Sequence, residues 1–393
     1  MMLNANPAQY ATRATVDFAA LRHNLQAVRS LVGDRRVLAT VKADAYGHGA
    51  VPVSQFIERE HLADWLGVET VPEAVDLVDA GIELPVLKLS LSFTDELVPL
   101  IARDVALTVA SVDDIDAAEV AAAAVGEIAH VHLKVDTGMH RIGCTEADAV
   151  ALTRRISACR HLDLQGVFTH LPISDGPDDG YTDAQLARFQ AAVVSIQDAR
   201  AADGLPPVPL IHASNSGGIL GHVLDGLTMV RPGIMLYGYY PDTAATPRPV
   251  ELQPVMTLTS AVSFVKRVAA GETVGYSRTW TAPADRWIAT VPVGYADGFS
   301  RLNSNPSSNG GHGGSMLING GRYAVAGRVC MDATMLDLGS ADRPCPAAVG
   351  DKVTWLGTDG SEAITAADLA ALMGTISHEV LCAVGRRVPR DYV

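Results

Sequence analysis

Residues 37–44, VLATVKAD, set an unbroken apolar run against a lysine and a turn, and the same construction returns along the first two thirds of the chain. It recurs as DWLGVE (64–69), PVLKLS (85–90), ALTVAS (106–111), HVHLKVD (130–136), LQGVFTH (164–170), LIHASNS (210–216) and TMVRPG (228–233), eight runs in all. A strand covered on both faces reads as continuous Val, Ile and Leu, whereas a half-exposed one alternates. Between the runs lie segments of helical period. Phe18, Leu21, Leu25 and Val28 follow a capping Asp17 and precede Gly33, and Leu186, Phe189, Val193 and Ile196 follow Thr182 and Asp183. Buried strands alternating with amphipathic helices make a parallel α/β sheet, and eight such units predict closure into a (β/α)8 barrel of the TIM type. The pattern alone leaves an open doubly wound sheet as the alternative.

After LYGYY, the stretch PDTAATPRPVEL is rich in Pro and Thr and reads as an interdomain linker. From about residue 251 onward the style changes. VMTLTSAVSFVKRV, RWIATVPVGY, SMLINGGRYAVAGRV and DKVTWLG are strands bounded by Gly and Asn, which predict a mainly antiparallel β-domain. Asn319, Gly320 and Gly321 form a hairpin turn in this reading, and a short helix runs from Thr365 to about Met373. The chain is 393 residues long, which suits two domains. Hydrophobic residues make up 48% and charged ones 19%, enough apolar material for a large core. The net charge of -14 opposes general binding to nucleic acid or to an anionic membrane, while permitting a local basic pocket. Five widely spaced cysteines without a C-x-x-C pair argue against a disulfide framework or a zinc site, and no metal is expected. Without a secretion-signal pattern or a long apolar span, the expected location is the cytoplasm.

In a β/α barrel the loops after the strands form one concave face, so polar residues at strand ends are candidates for chemistry. Lys42 ends the first run, Lys134 and Asp136 the fifth, His170 the sixth, Asn215 and Ser216 the seventh, and Arg231 the eighth. Lysine and arginine rarely lie inside a fold unless a ligand or partner compensates them. Desolvation would favour Lys42 as the neutral amine that forms a Schiff base; a salt bridge to Asp44 or Asp136 is the plain alternative. The last two loops supply Ser216 with Gly217 and Gly218, then Gly233 and Ile234. A hydroxyl beside exposed N–H groups suits a phosphate, and ordinary turn glycine is the other reading. An amine facing a phosphate cradle across the barrel mouth points to a phosphorylated aldehyde cofactor.

The segments VKADAYGHG, VHLKVDTGMHRIG, GVFTH, HASNSGG, VRPGIMLYG, VGYSRTW, VPVGYADGFSR, GRVCMD and RRVPR, in this order, resemble the alanine racemase family over essentially the whole chain. The resemblance implies a barrel over residues 1–250 that binds pyridoxal 5′-phosphate and a β-domain over 251–393, with the opening residues packing on the latter. It further implies a head-to-tail homodimer whose active sites use both subunits, and a product, D-alanine, that serves as a cell-wall precursor. Lys42 becomes the Schiff-base lysine and the base for the D-substrate. Tyr276, delivered from the other subunit, becomes the base for the L-substrate. A free tyrosine has a pKa near 10, so Tyr276 needs a polarising neighbour, which His170 with Arg231 would provide. Arg231 is implied at the pyridine nitrogen, which it leaves unprotonated, so that transamination is disfavoured. Tyr46, Asn215 and Ser216 are implied on the cofactor, with backbone help from Gly233 and Ile234. Arg141 is implied at the phenolic oxygen and the substrate carboxylate. Lys134 stands where many members carry a carbamylated lysine; Tyr295 and the backbone of Met331 are implied on the substrate side, from the partner chain, and Asp332 at the entrance.

Three departures bear on specificity. His378 stands in TISHEV where a tyrosine is usual, LPISDGPDD departs from a small-residue pattern, and Ala333 replaces a common glutamine. A serine-preferring or broad amino-acid racemase on the same scaffold is therefore the main alternative. Tyr276 and Arg231 count against a barrel-type decarboxylase, and the β-domain counts against a non-catalytic cofactor-binding barrel.

Overall fold

The computed structural model describes residues 10–176, 180–241, 246–310 and 312–393. It divides into two compact units, Ala20–Gln253 on one hand and Met1–Ala19 with Pro254–Val393 on the other. A first strand, β1 (Arg13–Val16), belongs to the second unit. The next eight build the first unit: β2 (Arg36–Thr40), β3 (Trp65–Val68), β4 (Val86–Lys88), β5 (Leu107–Val109), β6 (Ala129–Lys134), β7 (Leu162–Phe168), β8 (Leu210–His212) and β9 (Met229–Val230).

Every pairing among these eight is parallel, in the order β4-β3-β2-β9-β8-β7-β6-β5. A parallel bridge between Leu87 and Ala106 joins the two ends, with Lys88 N–H donating to Ala106 O at 3.0 Å and Ala106 N–H to Val86 O at 2.8 Å. The sheet is therefore a closed barrel, and the open-sheet alternative falls. The runs are continuously apolar because helices cover one face and barrel side chains fill the other. Leu38, Trp65, Leu87, Ala106, Leu210 and Met229 pack together as one buried cluster.

Helices punctuate the strands. Phe18–Val32 starts where Asp17 accepts from Ala19 N–H at 2.7 Å and ends at Gly33, whose φ of 60° glycine alone adopts without cost. Val112–Val125 takes up the alanine-rich patch and stops at left-handed Gly126. The segment after β7 holds the longest of these helices among the described residues. Its helix, Tyr181–Ala202, is capped by Gly180 and buries Thr182, Gln185, Phe189, Val193 and Ile196. Thr182 is a buried residue of the first helical turn. Leu186 lies at the edge of that buried face and is half-buried.

The second unit is a mainly antiparallel sheet in the order Phe264–Val268, Arg286–Val291, Thr334–Ser340, Gly321–Val325, Ser315–Ile318, Lys352–Asp359, Met256–Ala261, β1, Arg390–Tyr392. Met256–Ala261 alternates buried and half-buried residues, the signature of a sheet with one covered face. The run VMTLTSAVSFVKRV gives two strands, separated at Val262–Ser263. Ser315–Ile318 and Gly321–Val325 form the expected hairpin, with Asn319 and Gly320 both at positive φ, as a two-residue turn of matching twist requires. Ala366–Met373 starts from a capping box between Thr365 and Asp368. The linker expected around residues 241–252 lies partly outside the described residues. Among the described residues no helix is long and apolar enough to cross a membrane.

Candidate active site

Lys42 follows β2 after one intervening residue, Val41, and the chain past it turns the uncommon way. Ala43, Asp44, Ala45 and Tyr46 all sit at φ between 52° and 55°, a turn of left-handed helix closed by Gly47 N–H to Ala43 O at 3.0 Å. Side chains brace it: Glu73 accepts from Ala43 N–H at 2.7 Å and Asp44 from Ala50 N–H at 2.8 Å. Lys42 Nζ pairs with Glu69 Oε2 at 3.0 Å. Neither Asp44 nor Asp136 is its partner, because Asp136 is spent on the N–H groups of Gly138 and His140 at 2.9 and 3.0 Å. Glu69 closes the second run of the sequence, DWLGVE, and only the adjacency of β2 and β3 brings it to the lysine.

Arg231 enters the barrel interior just past β9 and is 5% exposed. Its Nη2 donates to Thr169 O at 2.7 Å and Ala213 O at 2.9 Å, and its Nη1 to His212 Nδ1 at 2.8 Å. That leaves Nε–H and one Nη1–H without a partner among the described residues. Among the described residues no carboxylate pairs with it; Asp297 is held in the other unit by Arg387 at 2.8 Å and Gly294 N–H at 2.8 Å. Burial pulls the guanidinium down to about 9, so it stays charged at neutral pH. His170 Nδ1 lies 3.5 Å from Arg231 Nη2, and burial followed by the Arg231 charge pushes this imidazole well below its ordinary value. Lys134, at the end of β6, is buried with Nζ 4.6 Å from the centre of the Phe168 ring. Desolvation first, then Arg231 and Arg141, pull its amine down to about 7. Arg141 itself is exposed and has no partner among the described residues.

On the far side, Ser216 Oγ is buried and accepts from Gly233 N–H at 3.0 Å. Asn215 caps the short helix Ser216–Gly221, accepting from Gly218 N–H at 3.0 Å and from Ser174 Oγ at 2.7 Å. The N–H groups of Ser216, Gly217 and Ile234 open short helices and so have no intrahelical acceptor. A Cβ on Gly233 would stand 2.6 Å from Tyr46 Oη, so glycine there is what lets the tyrosine hydroxyl reach this wall. The Tyr46 ring rests on Tyr237 at 4.8 Å, and Tyr237 Oη donates to Thr40 O at 2.9 Å. Lysine, arginine and a hydroxyl-and-amide cradle thus share the carboxyl-end face of one barrel.

A family model described as "Alanine racemase, N-terminal domain" matches residues 16–241, and one described as "Alanine racemase, C-terminal domain" matches residues 255–392. The chain belongs to the alanine racemase family. It is 45% identical over 383 residues to an alanine racemase of Cutibacterium acnes, covering 97% of this chain and 98% of that one. The solved alanine racemase of Clostridium difficile 630 superposes with a TM-score of 0.87 at 34% identity, covering 98% of this chain and 96% of the other. A histidine racemase from Leuconostoc mesenteroides subsp. sake superposes with a TM-score of 0.84 at 28% identity, covering 98% of both chains.

The remaining alanine racemase motif residues lie in the antiparallel unit. Tyr276 is 69% exposed and opens the turn Tyr276–Arg278, between the paired strands Thr273–Val274 and Trp280–Thr281. Tyr295 and Met331 come together: Tyr295 N–H donates to Cys330 O at 3.0 Å and Ala296 N–H to Met331 O at 3.1 Å. Gly294 permits that approach, since a Cβ there would sit 2.3 Å from both of those carbonyl oxygens. Asp332 pairs with Arg387 at 2.7 Å. His378 is half-buried in Ser377–Cys382, and Ala333 N and O lie in the turn leading to Thr334–Ser340. Sequence reasoning missed Glu69, Glu73 and Ser174, whose roles come from partners far along the chain: Glu69 from the strand beside β2, Glu73 from the helix Val71–Asp79 and Ser174 from the loop after β7. It also passed over His132 and His212, although HVHLKVD and LIHASNS each place a histidine inside a buried run.

Proposed function

We propose that this protein interconverts L- and D-alanine with pyridoxal 5′-phosphate held at the barrel mouth. It works as a homodimer in which Tyr276, Tyr295 and Met331 of a second copy complete each site. Family membership supports the reaction class. The observation that carries the site is Arg231: a buried guanidinium with donors left over, on the same barrel face as Lys42 and the Tyr46–Ser216–Gly233 cradle.

The donor set fits the cofactor. The Ser216 and Tyr46 hydroxyls and the N–H groups of Gly217 and Ile234 suit a phosphate dianion, with Gly233 N–H holding the Ser216 oxygen and Asn215 fixing the helix that carries Ser216. The unspent Arg231 donors suit a ring nitrogen, and the unpaired Arg141 charge suits a phenolic oxygen or a carboxylate. When bound, pyridoxal phosphate supplies an electron-withdrawing ring conjugated to the substrate nitrogen, which acidifies the α-C–H bond.

Lys42 anchors the cofactor and moves the proton on one face of the α-carbon; Tyr276 moves it on the other. Arg231 donates without yielding a proton, which limits charge storage in the ring and favours return of the proton to carbon. His170 turns Nδ1 toward Arg231, so its neutral ring carries the proton on Nε2, the donor that a Tyr276 phenolate needs. The Lys134 amine, at about 7, is populated in the neutral form that attacks carbon dioxide, releasing a proton and leaving a carbamate to face the arginines. The two compact units serve as the domains of this arrangement. Five free thiols suit a reducing cytoplasm.

His378 in place of a tyrosine supports a second reading, a racemase with a wider side-chain range. The experiment that tests both is chiral analysis of products from L-alanine, L-serine and L-histidine with added pyridoxal phosphate. D-alanine formed fastest supports the first reading, D-serine or D-histidine formed fastest supports the second, and no inversion of any substrate sinks both.

A further inference from the structure

Behind Arg231 the barrel interior holds two fully buried histidines that the proposed chemistry does not use. His212, on β8, receives Arg231 Nη1 on its Nδ1 at 2.8 Å, and its Nε2 lies 2.9 Å from His132 Nδ1 on β6. The proton positions in this chain follow from the donor inventory. A guanidinium only donates, so His212 Nδ1 is a lone pair and the single proton of the neutral ring sits on Nε2. That N–H must meet an acceptor, so His132 Nδ1 is also a lone pair and its proton sits on Nε2. His132 Nε2 is buried with no hydrogen-bond partner among the described residues, so the chain ends in a donor left unsatisfied. Burial and the Arg231 charge push both imidazoles well below their ordinary value, which keeps both neutral.

The barrel is built around this pair. A register shift interrupts the β6–β7 ladder at Val131/His132. Opposite it stands Gly166, where a Cβ would lie 2.3 Å from His132 Nδ1. His212 stacks on Phe168 at 4.8 Å with the planes 1° apart, and Trp65 meets the His132 ring edge-on at 5.5 Å. Apolar side chains would fill this space without the unsatisfied N–H. A bulge, a glycine and an orphaned donor are an expensive arrangement unless the lone pair at the other end is wanted.

We propose that His132 and His212 form a two-imidazole buttress, each ring held as its Nε2–H tautomer, that positions Arg231 by offering it only an acceptor. The proposal rests on the reading of Arg231 as the donor to the cofactor ring nitrogen. Both histidines are positioning residues. With Thr169 O and Ala213 O holding Nη2, the His212 lone pair fixes the guanidinium plane and aims the remaining N–H groups at the mouth.

The decisive measurement is the imidazole nitrogen-15 spectrum of the whole protein labelled on histidine, twelve residues in all. His132→Asn identifies the two signals. The expected result at neutral pH is two rings protonated on Nε2 alone, with and without cofactor. A His212 proton on Nδ1, or a charged ring, overturns the proposal. In the cofactor-loaded protein, His132→Leu should weaken pyridoxal phosphate binding about tenfold and alter the absorbance of the bound cofactor. His132→Asn, whose Oδ1 still accepts, should stay within about threefold. Equal binding and spectra for the two variants overturn it. Should His132→Leu fail to fold, Gly166→Ala displaces the same ring and carries the same expectation. If the parent protein takes up no pyridoxal phosphate, the functional reading falls, while the nitrogen-15 spectrum still decides the tautomers.

Discussion

The left-handed turn beside Lys42 makes a prediction whose sign is opposite to the usual one. Four consecutive residues with side chains, Ala43 to Tyr46, occupy the left-handed region. Each costs about 1–2 kcal/mol there, because Cβ crowds the following carbonyl oxygen. Ala43 is exposed, so removing its methyl group loses almost no packing. Ala43→Gly relieves about 1–2 kcal/mol of crowding, and glycine's greater freedom in the unfolded chain returns about 0.5–1 kcal/mol. The variant should therefore be more stable than the parent by about 0.5–1 kcal/mol. Ala124→Gly, on the exposed side of the ordinary helix Val112–Val125, is the control and should cost about 1 kcal/mol.

Both sites lie in the barrel unit, so urea unfolding followed by circular dichroism at equal cofactor saturation compares them directly. If Ala43→Gly destabilises as much as Ala124→Gly, the turn is not strained and the reasoning fails. The contacts from Glu73 and Asp44, with Tyr46 packed on Tyr237, are what hold the turn against that cost. The functional return is placement: the turn carries the Tyr46 hydroxyl from the end of β2 to the wall beside Gly233. The stabilised variant should bind pyridoxal phosphate less tightly, as fluorescence titration would read.

Gly233→Ala puts a methyl group 2.6 Å from Tyr46 Oη, and should weaken pyridoxal phosphate binding at least about tenfold while leaving affinity for pyridoxal, which has no phosphate, nearly unchanged; equal losses for both ligands would remove Tyr46 and Gly233 from the phosphate cradle. Tyr276→Phe should slow exchange of the α-proton of L-alanine into deuterium oxide by about 100-fold or more, with a much smaller effect on D-alanine exchange and on cofactor binding; equal loss from both enantiomers would refute opposed bases. Lys134 has a folded value of about 7 against an unfolded one near 10.4, so between those values the unfolded chain holds a proton that the native chain has shed, and stability rises with pH through that window. In cofactor-free, carbon-dioxide-free buffer, Lys134→Met should therefore gain most over the parent below pH 7 and lose its advantage toward pH 10, and a gain independent of pH would show that the buried amine is not strained.

The barrel was legible because its strands are covered on both faces, so each declares itself by apolar content alone, and the lysine, histidine and arginine at their ends stand out against it. The left-handed turn was not. KADAY contains no glycine at the four positions that need positive φ, and what holds them there is Glu73, supplied by the helix Val71–Asp79. The same gap hid Glu69, whose meeting with Lys42 depends on β3 lying beside β2. In the antiparallel unit, alternation and Asn319–Gly320 marked individual strands and the hairpin, but the sheet order joins β1 to Arg390–Tyr392 across nearly the whole chain, and local pattern carries no information about such pairs. His132 shows the limit in its sharpest form. Its neighbours Val131 and Leu133 make the run read as an ordinary buried strand, and the reason for a histidine there lies in an acceptor needed on β8 and a gap left by Gly166 on β7. A polar residue that interrupts a buried run is therefore the part of this sequence where pattern stops explaining and the demands of the site begin.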